Sequence, residues 1–258
     1  MKRLLTILMM TLALASCSSS FNAARLLQGG AKAAQALSIS NEQMQEYISQ
    51  SVAQMDAEAQ VLPAGNAYSQ RLARITSGLG SVNGTPLNFK VYKTDEVNAF
   101  ACADGSVRVY TGLMDLMDDN EVLGVIGHEI GHVALQHTLK AYKNALITSA
   151  AVDAIASAGD VAAILSDSIL GQLGQSMVNA RFSRSQETAA DDFGYDFLKA
   201  RGVNPWYMGS AFGKLLGESQ GSSSQQSRVA EMFSSHPDTQ SRINRVAEKA
   251  TADGFKKP

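Results

Sequence analysis

The spacing of apolar and polar positions changes along this chain, and each change marks a new kind of element. From Ser40 the pattern is helical to about Gln60, with Gln43 three residues after Ser40 in the spacing of a capping box. A second helical stretch carries Ala67, Leu72 and Ile75 near helical spacing. At Leu87 the period drops to two. Leu87, Phe89 and Val91 alternate with Asn88, Lys90 and Tyr92, which predicts a half-buried strand. Asn98 to Cys102 and Val107 to Tyr110 read as two more short strands, and Asp104-Gly105 between them is a hairpin signal. A small antiparallel sheet of about three strands is therefore expected just before the helix that carries GVIGHEIGHVALQH, residues 124–137. Leu123, Ile126 and Val133 give that helix a buried side, and Asp119 or Asn120 can cap it. Residues 144–180, rich in Ala and small residues, read as a buried helical hairpin, because no window offers the roughly 20 clean apolar residues of a membrane span. Helix resumes over 184–200 and ends at Gly202, with Pro205 beyond. GESQGSSSQQS, residues 217–227, reads as a flexible loop. The class is α+β, mainly helical.

Composition changes this picture little. A chain of 258 residues suits one large domain or two small ones, with 45% hydrophobic and 18% charged residues. A net charge of −2 with no basic block favours no nucleic-acid partner. The first residues matter more. Lys2 and Arg3 precede an apolar run from Leu4 to Ala15, the layout of a secretory signal. Its exit, Leu14-Ala15-Ser16-Cys17, resembles the lipobox of bacterial lipoproteins. That resemblance implies a signal peptide over 1–16, cleavage before Cys17, a lipid on Cys17 that holds the protein at a membrane, and a tether over 17–39 ahead of a domain at 40–258. Ser18, where retained inner-membrane lipoproteins commonly carry Asp, implies sorting to the outer membrane, facing the periplasm. With Cys17 acylated, Cys102 is the one remaining thiol and reads as a small buried hydrophobe.

The chemistry sits in the histidine-rich helix. At about 100° per residue, His132 lies about 40° on from His128, one turn away on the same face. Glu129 flanks the pair, able to reach a water without taking a ligand position. This is the HExxH arrangement of two zinc ligands and a general base. His137 falls about 180° from His128, on the opposite side of the same helix, which makes it a bystander, a surface or core histidine. A catalytic zinc needs a third protein ligand and one open position. Leu135 and Thr138 stand where a metzincin would carry Gly and His, so the third ligand must come from elsewhere. Glu187 and Asp191 share a helical face at i, i+4. Glu187 can ligate zinc while Asp191 accepts the outer ring N–H of a ligand histidine. Taken alone, such a carboxylate pair is usually a charged surface face.

HEIGH, then FSRSQETAAD, then SSHPDTQSRI match in order three signatures of the HtpX-like and CAAX-prenyl-endopeptidase-like gluzincin peptidases. NAFACADGSVRVYTGLM, ahead of the histidine helix, is similar to a further block of that family. The resemblance covers roughly residues 60–250 and implies a zincin-type peptidase domain that binds one Zn2+ through His128, His132 and Glu187, with Glu129 as base. It also places His236 near the site, as a candidate second electrophile for the tetrahedral intermediate. Arg242 reads as a structural partner of a carboxylate. Asn98, Ala99 and Phe100, if they form an edge strand, offer a line along which a peptide substrate adds as a further strand. The expected activity is a lipid-anchored zinc endopeptidase acting on unfolded or misassembled envelope proteins. The rival is a non-catalytic assembly factor that keeps the peptidase fold, with envelope proteins as partners.

Overall fold

The computed structural model describes residues 39–148, 167–237 and 239–258. The signal segment, Cys17 and all but the last residue of the tether lie outside the described residues, as does the middle of the expected 144–180 hairpin. Ten helices and five strands are described: α1 (Asn41–Glu58), α2 (Ala67–Ile75), β1 (Ser81–Val82), β2 (Thr85–Pro86), β3 (Asn88–Tyr92), β4 (Ala99–Ala101), β5 (Ser106–Tyr110), α3 (Thr111–Leu116), α4 (Asp119–Ala134), α5 (His137–Thr148), α6 (Asp167–Val178), α7 (Arg184–Ala200), α8 (Trp206–Ser219), α9 (Ser223–Ser235) and α10 (Thr239–Ala252). This is a mainly helical α+β fold. Among the described residues no helix is long and apolar enough to cross a membrane.

The three-stranded sheet has the order β3-β5-β4. β4 and β5 form the expected antiparallel hairpin, with Ala99 opposite Val109 and Ala101 opposite Val107. Its turn depends on Gly105. The residue has φ +87°, and a Cβ there would lie 1.8 Å from the Pro86 carbonyl oxygen. The pairing of β3 with β5 corrects the sequence reading, because it is parallel, Asn88 opposite Ser106 through Tyr92 opposite Tyr110. After Tyr92 the chain crosses to the far edge, lays down β4, and turns back into the middle, so β5 runs in the direction of β3.

The sheet is also covered on both faces rather than half-buried. Val91, Ala99, Ala101, Val107 and Val109 join the main core with α4, α7 and α8. Tyr92, Phe100, Cys102 and Tyr110 face a second cluster built from α1, α5 and α6. Alternation along each strand thus sorts residues between two cores. α5 and α6 are the described arms of the predicted hairpin. Cys102 is buried and free, as expected.

The Gly/Ser/Gln stretch is a second correction. Helix α8 runs into it and α9 starts within it, leaving only Gln220 to Ser222 between them. Ser222 caps α9 through a reciprocal capping box with Gln225.

Candidate metal centre and active site

Helix α4 is fixed at its start by Asp118, which accepts from the backbone N–H groups of Asn120 and Glu121. The cap is thus one residue before the position expected. The Glu121 side chain closes the capping box and is itself buried, accepting from Ser210 and Lys214 of α8 at 2.6 Å each. Farther along, the helix is drawn against α7 by a seam of glycines. A Cβ on Gly131 would lie 3.1 Å from the Ala190 carbonyl oxygen, and one on Gly194 3.0 Å from the backbone nitrogen of His128. This close approach brings the Glu187 and Asp191 turn of α7 onto the histidine face of α4. Ser183, capping α7 with Gln186 in another reciprocal box, sets where that turn begins.

His128, His132, Glu187 and His236 each offer one donor atom, and these atoms all lie within 4.8 Å of one another. The Nε2 atoms of His128 and His132 are 3.1 Å apart, and His236 Nδ1 is 3.2 Å from His128 Nε2. Glu187 Oε1 is 3.4 Å from His132 Nε2, and Oε2 is 3.6 Å from His128 Nε2. Four donors about 2.0–2.1 Å from a tetrahedral zinc stand about 3.3 Å from each other. The donor set has that size.

The outer atoms settle its chemistry. His128 Nδ1 is 2.9 Å from Asp191 Oδ1, an acceptor-only carboxylate, so the ring proton is held there and the Nε2 lone pair faces inward. The Nε2 lone pairs of His128 and His132, 3.1 Å apart, repel unless a cation lies between them, while His236 Nδ1 also stands 3.0 Å from Glu187 Oε1. Three imidazole nitrogens and one carboxylate form a borderline donor set suited to a divalent transition metal. The residues fit the implied metal.

Asp191 is held in turn by Arg242, through Nε at 2.8 Å and an Nη at 2.7 Å. The other Nη of Arg242 reaches Glu187 Oε2 at 2.7 Å, and the guanidinium stacks over Phe212 at 4.3 Å. Arg242 therefore ties both carboxylates together, the structural pairing expected for it. Burial raises the Asp191 carboxyl, but the hydrogen bonds from Arg242 outweigh it and hold the group at about 2. Burial likewise raises Glu187, yet the nearby imidazoles of His236 and His132 hold it well below the usual carboxylate range.

Glu129 is 3% exposed, and its Oε1 has no hydrogen-bond partner among the described residues. Burial pushes its carboxyl up, against the pull of His236 and His128. His236 Nε2 lies 3.5 Å from that unpartnered oxygen. Beside the pair is a cavity of about 20 Å³ whose lining includes the polar His128, Glu129, His236 and Arg242 and the apolar Val125, Phe212, Leu215 and Met232. It has room for one water.

Two positions depart from the sequence reading. His236 stands among the donors, closer than a second electrophile needs to be. His137 is no bystander. Helix α4 stops at Ala134, Gln136 takes φ +59°, and α5 starts at His137. The turn brings His137 Nδ1 to 3.0 Å from His132 Nδ1. The 180° separation of His137 from His128 holds only in one continuous helix, and the chain breaks between them.

The strand Asn98 to Phe100 is at the sheet edge and buried. The N–H of Ala99 donates to Asn98 Oδ1, Asn98 Nδ2 donates to Glu231 of α9, and the Val97 N–H bonds the Arg228 carbonyl. Phe100 packs edge-on against Tyr92 and Tyr110 in the second cluster, so its side chain points away from the donors.

Residues 65–250 match the model of peptidase family M48. Among curated proteins, the chain is 45% identical over 232 residues to Metalloprotease LoiP of Escherichia coli strain K12, 90% of each chain. It is 42% identical over 224 residues to Metalloprotease YcaL of the same strain, 86% of each. A Beta-barrel assembly-enhancing protease of Escherichia coli O157:H7 is 31% identical over 235 residues, which is 86% of this chain and 46% of the relative. The convergent donors, the buried carboxylate beside them and these similarities agree: the chain belongs to peptidase family M48 and is a metalloprotease.

Proposed function

We propose that the protein is a zinc endopeptidase at the periplasmic face of the outer membrane, anchored by a lipid on Cys17, that cuts unfolded or misassembled envelope proteins. The observation that carries the catalytic part is Glu129, a buried carboxylate with an oxygen unpartnered among the described residues, next to the clustered donors of His128, His132, Glu187 and His236. His128, His132 and Glu187 would hold the metal, which when bound supplies Lewis acidity toward a water and a carbonyl.

Everything else is done by the chain. Glu129, its carboxyl pushed up by burial, takes a proton from the attacking water and returns it to the leaving amine. Asp191 fixes the His128 ring through Nδ1, and Arg242 holds Asp191 and Glu187 in register. His236 serves as donor to the oxyanion. A catalytic site needs an open fourth position, so the His236 ring must swing from the donor set as substrate enters.

Peptide adds along the β4 edge by main-chain pairing at Asn98, Ala99 and Phe100, which reads little sequence and suits unfolded chains. The contacts from Asn98 to Glu231 and from Val97 to Arg228 occupy part of that edge, so α9 moves aside with substrate. The Beta-barrel assembly-enhancing protease among the relatives supports an envelope substrate class.

The test is cleavage of casein and of an unfolded outer-membrane protein by wild type, by wild type with chelator, and by Glu129→Gln. Wild type should cut, and both treatments should stop it. If Glu129→Gln retains zinc and still cuts, the mechanism is wrong; if wild type cuts nothing, a non-catalytic assembly role takes its place. Cys17→Ala should move the protein to the soluble periplasm, and continued membrane association would remove the anchor from the proposal.

A further inference from the structure

His137 was set aside by helical angle, yet it contacts His132. We infer that His137 is a positioning residue: its Nδ1 lone pair accepts the outer N–H of His132 and so fixes the tautomer and tilt of that metal-facing ring. The inference rests on the metal-centre reading above.

The geometry leaves little choice of proton placement. His132 Nε2 faces the donor set, 3.1 Å from His128 Nε2 and 3.4 Å from Glu187 Oε1. A lone pair directed there puts the ring proton on Nδ1. Nδ1 lies 3.0 Å from His137 Nδ1, so His137 must present a lone pair and carry its own proton on Nε2. His132 is completely buried, and Phe182 stacks on it with ring centroids 3.9 Å apart, which fixes the ring plane and leaves the tilt within that plane to the hydrogen bond. His128 shows the same arrangement with Asp191 as its acceptor. Each of the two ligand histidines on α4 thus has an orienting partner, a carboxylate for one and a neutral imidazole for the other. The backbone is built for this. The left-handed Gln136 ends α4 and turns the chain, so that the first residue of α5 points back at the last ligand of α4.

The test is a competition titration of Zn2+ against a chromophoric chelator, on full-length wild type, His137→Phe and His137→Asn, with a thermal melt of each zinc-free protein. Phe keeps the ring and removes the acceptor. In Asn the amide oxygen takes the place of Nδ1. Zinc affinity should fall about 10–100-fold in His137→Phe and return to within a few-fold of wild type in His137→Asn, with both zinc-free variants still melting cooperatively. Equal affinity in wild type and His137→Phe would overturn the inference while leaving the metal centre intact. Equal losses in Phe and Asn would also overturn it, by showing that packing and not acceptance matters. If wild type itself takes up no zinc, the metal-centre reading fails and this inference fails with it, a result visible without any His137 variant.

Discussion

Two buried polar clusters flank the sheet, and they are built on opposite principles. On the α1 side, Arg108 is 2% exposed and meets Asp56 through two hydrogen bonds of 2.8 and 3.0 Å. Lys90 and Tyr92 complete the Asp56 carboxylate at 2.7 Å each, and the Asn88 and Val107 carbonyls take the remaining Arg108 nitrogen. Donors match acceptors, and the cluster closes on itself. On the α4 side, His128, His132 and Glu187 turn acceptors toward one point with His236 beside them, and Glu129 Oε1 has nothing to accept from among the described residues. The first cluster is a clamp that pins α1 to the sheet. The second is incomplete without a cation and a water. A buried charged group marks a functional site when its partners leave a surplus, not simply because it is buried.

The contrast can be broken from either side. The largest effect should follow Glu129→Gln, with kcat on casein lower by about 10²–10⁴-fold and thermal stability little changed. Asp56→Ala should do the reverse, costing about 3–5 kcal/mol in a denaturant melt because it strands the Arg108 guanidinium, while zinc uptake persists. Gly194→Ala should sit between the two. Its Cβ meets the His128 backbone and Met208 Sδ, both at 3.0 Å, which forces α4 and α7 apart. Overpacking of this kind costs about 1–3 kcal/mol, and here it should also weaken zinc binding. A comparably destabilised clamp variant with equal zinc loss would show that the effect is general loosening.

The smallest effect concerns acid. Burial raises the Asp56 carboxyl, but hydrogen bonds from Arg108, Lys90 and Tyr92 bring it below its ordinary value. Its contribution is complete above the unfolded value of about 3.9 and is lost as pH falls through the lower folded value. Melts of wild type should therefore drop more steeply below about pH 4 than those of Asp56→Asn.

What could be read from sequence follows from distance along the chain. The i, i+4 spacing of His128 and His132, and of Glu187 and Asp191, is local, so period alone placed each pair on one face. That the two pairs meet depends on the Gly131 and Gly194 seam, which reads in sequence only as weak helix propensity. His137 was misplaced because the break at Gln136 uses a left-handed residue that is not glycine. The pairing of Arg108 with Asp56 has no local signal, since the layer covering that sheet face comes from α1, α5 and α6, distant in sequence. The parallel pairing of β3 was hidden for a related reason: strand order depends on where the loop after Tyr92 crosses. The start of α9 was legible, as Ser222 and Gln225 have capping-box spacing, but the Gly/Ser/Gln composition masked it.

The central claim is that surplus acceptors, and not burial of charge, make the metal centre. Zinc content per chain of wild type, Asp56→Ala and Glu187→Ala, measured on protein refolded in limiting zinc, tests it most directly. The account predicts one zinc in wild type, one in the destabilised clamp variant, and little or none in Glu187→Ala. A full zinc complement in Glu187→Ala, or none in wild type, would contradict it.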